Sequence, residues 1–383
     1  MGKRELLIAA VFVVLGLGVY QLTAPPSDAS SNGFSIGRVI DQVRREIRGQ
    51  RASAEETFAA TRPVPDTITE IRLTFGIGAV AIVGEDREDI VAEMHVRSTG
   101  YDEAEARRLA RESILTFDEA GALLIIAGKF PVAGRQTPTL RLRVPERLGV
   151  RLDEKGNTLE ISNVASVLIG GGRGESTIRQ IAGNVTMTQR GSELTITEVG
   201  SLKLSTFSGV EARVSKVHGD ATLTLQGGEF RGEEFDGAIQ VESRNADVQF
   251  EKLENLKGPV RVESTGGEIV FIGLGAETRI DARRSDIRVE HAGGASLSIY
   301  SEGEETIELT VPPAGFRMDA LAIGGDISLD EKLADHGLKR EAIGGGDERS
   351  ASREETRLTG SVRGGGPSIT LRANRGDIVV RSR

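Results

Sequence analysis

A glycine returns at positions 183, 200, 219, 237, 258, 275 and 293, a mean spacing of about 18 residues. Counted from the first five, the residues at +2 are Val185, Leu202, Ala221, Ile239 and Val260, and those at +4 are Met187, Leu204, Leu223, Val241 and Val262. Every one is apolar. Residues two apart on a strand share a face, so each unit offers a two-residue apolar patch that is too small to bury itself. Stacking the units in parallel, patch upon patch, buries all of them. A second apolar pair at +11 and +13 (Leu194 and Ile196, Val248 and Phe250, Ile269 and Phe271) supplies another face. The sequence therefore predicts an all-β parallel β-helix, a β-solenoid with coils of about 18 residues, whose recurring glycines supply positive-φ corners. An antiparallel sandwich of short hairpins is the competing arrangement, because a strand every ~9 residues suits it too.

Composition agrees with a narrow coil filled by Val, Leu and Ile layers. There are 48 Gly, only 12 Phe and 3 Tyr, and no Trp. At 38% hydrophobic the chain is too apolar to be disordered.

A second series consists of strand openings: a small residue, an acid, then an apolar-x-apolar strand. It reads Ala246-Asp-Val-Gln-Phe, Gly267-Glu-Ile-Val-Phe, Ser285-Asp-Ile-Arg-Val, Gly325-Asp-Ile-Ser-Leu and Gly376-Asp-Ile-Val-Val, each preceded by a variable residue: Asn245, Gly266, Arg284, Gly324 or Arg375. The acid is placed to hydrogen-bond backbone at the corner. Arg375-Gly376-Asp377, a tripeptide that adhesive ligands display on loops, is thereby expected to be one more corner.

Upstream, residues 67–148 read as a β-rich lead-in subdomain with one helix, and residues 149–383 as the solenoid with a polar insertion at 330–357. Asp102 is a candidate cap for a helix through EAEARRLARES, with Ala106, Leu109 and Ala110 on one side. Gly76-x-Gly78-x-x-Ala81 mimics a dinucleotide fingerprint, but Ile71, Leu73 and Phe75 before it and Val80 and Ile82 within it alternate as strands do, and the required helix is missing. Gly170-Gly-Gly-Arg-Gly-Glu-Ser has no Lys-Ser/Thr pair to meet phosphate and magnesium.

At the N-terminus, Lys3 and Arg4 precede an uncharged apolar run from Leu6 to Leu22. Such a run covers roughly 25 Å as a helix, enough for a short transmembrane signal anchor. The reading is a cytoplasmic tail at 1–5, a membrane helix at 6–24 and a linker at 25–66 containing a short amphipathic helix at 36–48. Cleavage after Ala29 is the alternative. The positive-inside rule puts Lys3 and Arg4 in the cytoplasm and the bulk of the chain in the periplasm or outside the cell.

The chemistry-bearing residues are sparse. A net charge of −9 without a basic run argues against nucleic acid. Without cysteine there is no disulfide, thiolate metal site or Cys nucleophile. His95, His218, His291 and His336 are scattered, acids fall mostly at corners, and aromatic sugar platforms of the Trp kind are missing. The sequence nominates no catalytic, cofactor-binding or metal residue, and the expectation is a protein that is not an enzyme.

The C-terminal stretch TGSVRGGGPSITLRANRGDIVVRS, the corners above and the segment TFGIGAVAIVGEDRED together resemble a bacterial adhesin-like β-strand-repeat family that includes auto-transporter adhesin head domains. The resemblance covers residues 67–383. It implies a right-handed β-helix, exported or membrane-anchored, with no general catalytic residues. The expected function is a membrane-anchored extracytoplasmic scaffold, adhesin-like or structural, with an envelope protein or polysaccharide as partner. An envelope-stress sensor, to which some relatives are linked, and a carbohydrate-active enzyme are the alternatives.

Overall fold

The computed structural model describes residues 52–132, 134–156, 158–343 and 355–383. The expected tail at 1–5, anchor at 6–24 and amphipathic helix at 36–48 lie outside the described residues, as do residues 344–354 of the insertion. Among the described residues no helix is long and apolar enough to cross a membrane.

The fold is all-β, and its parallel strands form two long ladders. In spatial order the first runs through residues 123–129, 70–75, 149–155, 166–169, 184–190, 201–207, 221–226, 239–244, 260–265, 278–283, 297–302, 368–374 and 316–323. The second runs through 136–145, 79–85, 158–162, 175–181, 193–199 and, in its later part, 228–235, 246–251, 268–274, 286–291, 307–311, 378–382 and 327–329. Residues 210–217 join the two parts: Glu211 N donates to Ser192 O, and 210–217 pairs in parallel with the following strand.

The +2 and +4 residues lie in register, as the repeat requires. Val185, Leu202, Ala221, Ile239 and Val260 are successive partners, and so are Met187, Leu204, Leu223, Val241 and Val262. All are buried. Parallel pairing excludes the hairpin sandwich for these units. In the second ladder Phe250 and Phe271 are inward partners in register and Phe230 stands in the adjoining inward column, with the Phe250 ring centroid 5.2 Å from each of the other two. Gly232 is the in-register partner of Phe250, and a Cβ there would sit 2.8 Å from that ring, so the glycine gives the ring its space. In the first ladder Ser264 Oγ lies 2.7 Å from Ser243 Oγ and 3.2 Å from Ser285 Oγ, a buried hydroxyl chain from two neighbouring strands to the corner before 286–291.

Several expectations need correction. Residues 52–63, assigned to the linker, form strand Ala52–Pro63, antiparallel to Asp89–Gly100. Its alternate residues Ala52, Ala54, Glu56, Phe58, Ala60 and Arg62 are half-buried, and helix α1 (Glu103–Arg111) packs against the strand. α1 is capped by Asp102, whose side chain accepts from Glu105 N, and it buries Ala106, Leu109 and Ala110 as its spacing predicts. The expected boundary near 148 is not a break in pairing: 70–75 pairs with 149–155, and 79–85 with 158–162.

The glycine series works differently from the expectation. Of those seven glycines only Gly293 has positive φ. At the others a Cβ would strike the preceding unit: 2.5 Å from Ala182 O at Gly200, 2.4 Å from Gly219 C at Gly237, 2.3 Å from Ala238 N at Gly258. These glycines permit close stacking of backbones. The left-handed corner falls on the variable residue of the second series: Asn245 (φ 51), Gly266 (φ 74), Arg284 (φ 52), Gly324 (φ 70) and Arg375 (φ 77).

The polar insertion 330–357 has secondary structure of its own. It contributes helix α2 (Glu331–Ala334) and strand Leu338–Ile343, which pairs antiparallel with Glu355–Val362, itself antiparallel to Phe316–Ile323. The chain also does not stack its last units in sequence order. Ser368–Asn374 lies between Leu297–Glu302 and Phe316–Ile323, and Ile378–Ser382 lies between Ile307–Val311 and Ile327–Leu329. The C-terminal strands are threaded between two earlier units.

Candidate functional site

The Arg375-Gly376-Asp377 tripeptide is a corner between two threaded strands. Arg375 takes the left-handed conformation, and its N–H donates to Ile323 O. Gly376 is buried, with space for a Cβ closed off 2.0 Å away by Glu305 O. Asp377 Oδ1 accepts from Asp326 N at 2.8 Å. Two other acids of the series act alike, Asp247 on Glu268 N (3.0 Å) and Asp286 on Thr306 N (3.1 Å), whereas Asp326 Oδ1 accepts from Ile327 N within its own unit at 2.7 Å. At Asp247, Asp286 and Asp377 the acid therefore binds backbone, as its position suggests, but in the adjoining unit, and ties those corners together.

The histidines do not converge. His95 and His218 are exposed beside Glu55 and Asp236 respectively, and His336 is exposed. His291 is buried, its ring nitrogens 2.7 Å from Leu274 O and 2.9 Å from Ala295 O, where it ties two segments together. Among the described residues no group of three or more His, Cys, Asp or Glu is arranged to hold a metal ion.

The first ladder does bring together outward residues that are distant in sequence. One outward column reads Thr188, Ser205, Thr224, Glu242, Glu263, Asp281, Tyr300 and Arg372, each in register with the next. Three hydroxyls are followed by three carboxylates and then an aromatic ring. Neighbouring strands are ~4.8 Å apart, and like charges directly opposite one another are destabilising. Asp281 is compensated by Arg279, whose Nε donates to Oδ2 at 2.7 Å and Nη2 to Oδ1 at 3.2 Å. That hydrogen-bonded pairing raises the Arg279 pKa above its ordinary value. Glu242 and Glu263 make no direct ion pair with any described residue. One flanking column carries Arg244, Thr265 and Arg283, the other Gln240, Arg261 and Arg279. Arg283 reaches Glu302 at 3.4 Å. Together with Tyr300, which is 43% exposed, the acid column and Arg244, Thr265 and Arg283 line a groove of about 620 Å³ on the wall, whereas Gln240, Arg261 and Arg279 lie outside its lining.

Sequence reasoning missed this column because it treats the acids as corner residues. The signal was present one place beyond the +4 apolar residue, where Glu242 and Glu263 follow Val241 and Val262. After Gly275 the inward pair slips by one, to Thr278 and Ile280, and its first member is polar, which hides Asp281.

No family model matches the chain, and no curated protein matches it. Similar solved structures include a "putative cell adhesion protein" from Clostridium sporogenes, at 10% identity and a TM-score of 0.20, covering 87% of this chain and 100% of that one. A "putative adhesin" from Parabacteroides distasonis has 10% identity and a TM-score of 0.35, covering 86% of this chain and 97% of that one. A third, a "putative adhesin" from Parabacteroides merdae, has 8% identity and a TM-score of 0.34, covering 85% of this chain and 96% of that one.

Proposed function

We propose that this chain is a non-catalytic, adhesin-like scaffold of the cell envelope, wound as a right-handed β-solenoid, anchored through residues 6–24 and displayed outside the cytoplasm. The observation that carries the reading is the first ladder: in-register parallel strands from 123–129 to 316–323 whose outward columns present polar side chains side by side. Such a wall holds a long partner at many points without a deep pocket. An envelope protein or polysaccharide lying along it is the partner that suits its length.

The test is fractionation of cells expressing the full chain, with N-terminal sequencing, external protease after the outer barriers are opened, and co-sedimentation with isolated envelope material. An intact N-terminus in the membrane fraction, protease access to residues 67–383 and co-sedimentation are expected. A protected cytoplasmic chain, or one that leaves the envelope material in solution, overturns the reading.

A further inference from the structure

We infer that the groove between Thr224 and Tyr300 is a binding site for an uncharged, hydroxyl-rich glycan strand. The inference rests on the scaffold reading above and names its ligand class. Three features of the groove point to this chemistry. The first is the column of acceptors. Glu242 and Glu263 stand in register without direct counter-ions, while the equivalent positions on the three preceding strands are Thr188, Ser205 and Thr224. The burial of the core does not require that change, because the column faces outward. An ionised carboxylate only accepts hydrogen bonds, so at this exposed pair, of which Glu263 also acts electrostatically on Arg279, a ligand's hydroxyls would take the place of water as donors.

The second feature is the flanks. Arg244 and Arg283 line the groove on one side of the acids, while Arg261 and Arg279 stand in the next column outside its lining, Arg279 bound to Asp281. Guanidinium groups only donate. A polyanion laid in the groove would meet Glu242 and Glu263, and a polycation would meet Arg244 and Arg283. A polyol satisfies both sets, since each hydroxyl donates and accepts. The third feature is Tyr300, directly after Asp281 in the column, exposed and in register with Arg372 on its other side. An exposed ring at the end of a polar groove offers an apolar face to the C–H side of a sugar while its hydroxyl stays hydrated. The strand spacing of ~4.8 Å sets these groups at intervals close to one sugar ring, along a line rather than around a pocket.

The experiment uses the full chain in detergent, titrated by calorimetry with three neutral probes (maltohexaose, cellohexaose and laminarihexaose), a polygalacturonate fragment as polyanion and a chitosan hexamer as polycation. The expected result is saturable binding of at least one neutral hexaose, weakened about tenfold by Tyr300→Ala and by Glu263→Gln. Thr195→Ala, on the second ladder, should bind as the unaltered chain does. Thermal unfolding of each variant establishes that these surface substitutions leave the fold intact. Binding of only the polyanion or only the polycation overturns the inference, as does binding of none, or neutral binding indifferent to both groove variants. Envelope co-sedimentation of the same proteins separates the two levels. If the Tyr300 and Glu263 variants sediment as the unaltered chain does and the hexaoses fail to compete, the glycan site fails while the scaffold reading stands. If the unaltered chain does not sediment at all, the scaffold reading itself fails.

Discussion

Ending the chain after Gly366 should do more than remove one terminal unit. The two strands lost bury Ile369, Leu371, Ala373, Ile378 and Val380, each no more than 2% exposed. At ~1.5–3 kcal/mol for each of the four larger side chains, their burial contributes roughly 6–12 kcal/mol. This is an upper figure, because an unfolded chain already hides part of that surface. The threading adds a second loss. Without the inserted strand, Leu297–Glu302 faces Phe316–Ile323 across two strand spacings, ~9.5 Å, where no backbone bond forms. Asp319 loses Arg372, whose Nη2 donates to its Oδ2 at 2.6 Å, and Asp326 N loses Asp377. Hydrogen exchange followed by mass spectrometry reads the outcome segment by segment. Amides of 316–329 that face the threaded strands should lose their protection, those of 316–323 that pair with Glu355–Val362 keeping part of theirs, and those of 297–311 should behave as an edge. Residues 185–262 should be unchanged, because in a stacked array each unit contacts only its neighbours. Wild-type protection across 316–329 in the shortened chain would refute the reasoning. It would mean that this unit stacks directly on 297–311 and does not depend on the threaded strands.

Three further outcomes follow from the packing. Gly258→Ala should destabilise the protein by about 1–3 kcal/mol in urea titrations, because its Cβ would press on Ala238 backbone that cannot swing aside. Arg284→Gly, at a left-handed corner, should be neutral or stabilising by up to about 1 kcal/mol, the relief of αL strain slightly exceeding the added freedom of the unfolded chain. Phe250→Ala should cost about 3–5 kcal/mol, measured by the same titration, since it empties the middle of the aromatic cluster. Acid should act on Asp319, whose carboxyl is held below its ordinary pKa by the Arg372 hydrogen bond first and by Arg357 in addition. A lowered folded pKa stabilises above the unfolded value of about 3.9, and that contribution disappears as pH falls through the folded value. The stability gap between the unaltered chain and Asp319→Asn should therefore be constant from about pH 7 to 5 and close below about pH 4.

The inward code was legible because it is local and recurrent. Val185 and Met187 announce a strand face two residues long, and the same pair on every unit fixes register without knowledge of the partner. Helix α1 was legible through Asp102 for the same reason, its cap and its apolar face lying within one short segment. The corners were misread because two different demands look alike in sequence. Gly237 and Gly258 are glycine for lack of space, whereas Asn245, Arg284 and Arg375 occupy the left-handed conformation at a cost of only about 1–2 kcal/mol, which the surrounding ladders offset. Residue identity therefore does not mark the position. Threading was invisible for the opposite reason. Ile369 and Leu371 match Leu297 and Ile299 as well as they match Met318 and Ala320, so the apolar pattern accepts several unit orders. Specific side chains such as Asp319 and Arg372 favour one.

That same threaded strand lies next to Tyr300 at the end of the groove, which couples the two main inferences in a measurable way. Arg372 stands in register beside Tyr300, and Asp319 and the Asp319 carbonyl hold its guanidinium at 2.6 and 3.0 Å. Shortening the chain after Gly366 deletes this neighbour without altering any groove residue between Thr224 and Tyr300. If the glycan strand lies along the column as inferred, the shortened chain should bind a neutral hexaose more weakly, because Leu297–Glu302 becomes a fraying edge and Tyr300 loses its fixed orientation. Glu242 and Glu263 sit on strands that keep both neighbours, so part of the affinity should survive. Tyr300→Ala introduced into the shortened chain should then cost less than it does in the full one. An undiminished cost of Tyr300→Ala in both backgrounds would mean that the ring is oriented by its own unit, and that the threaded strand contributes to stability alone.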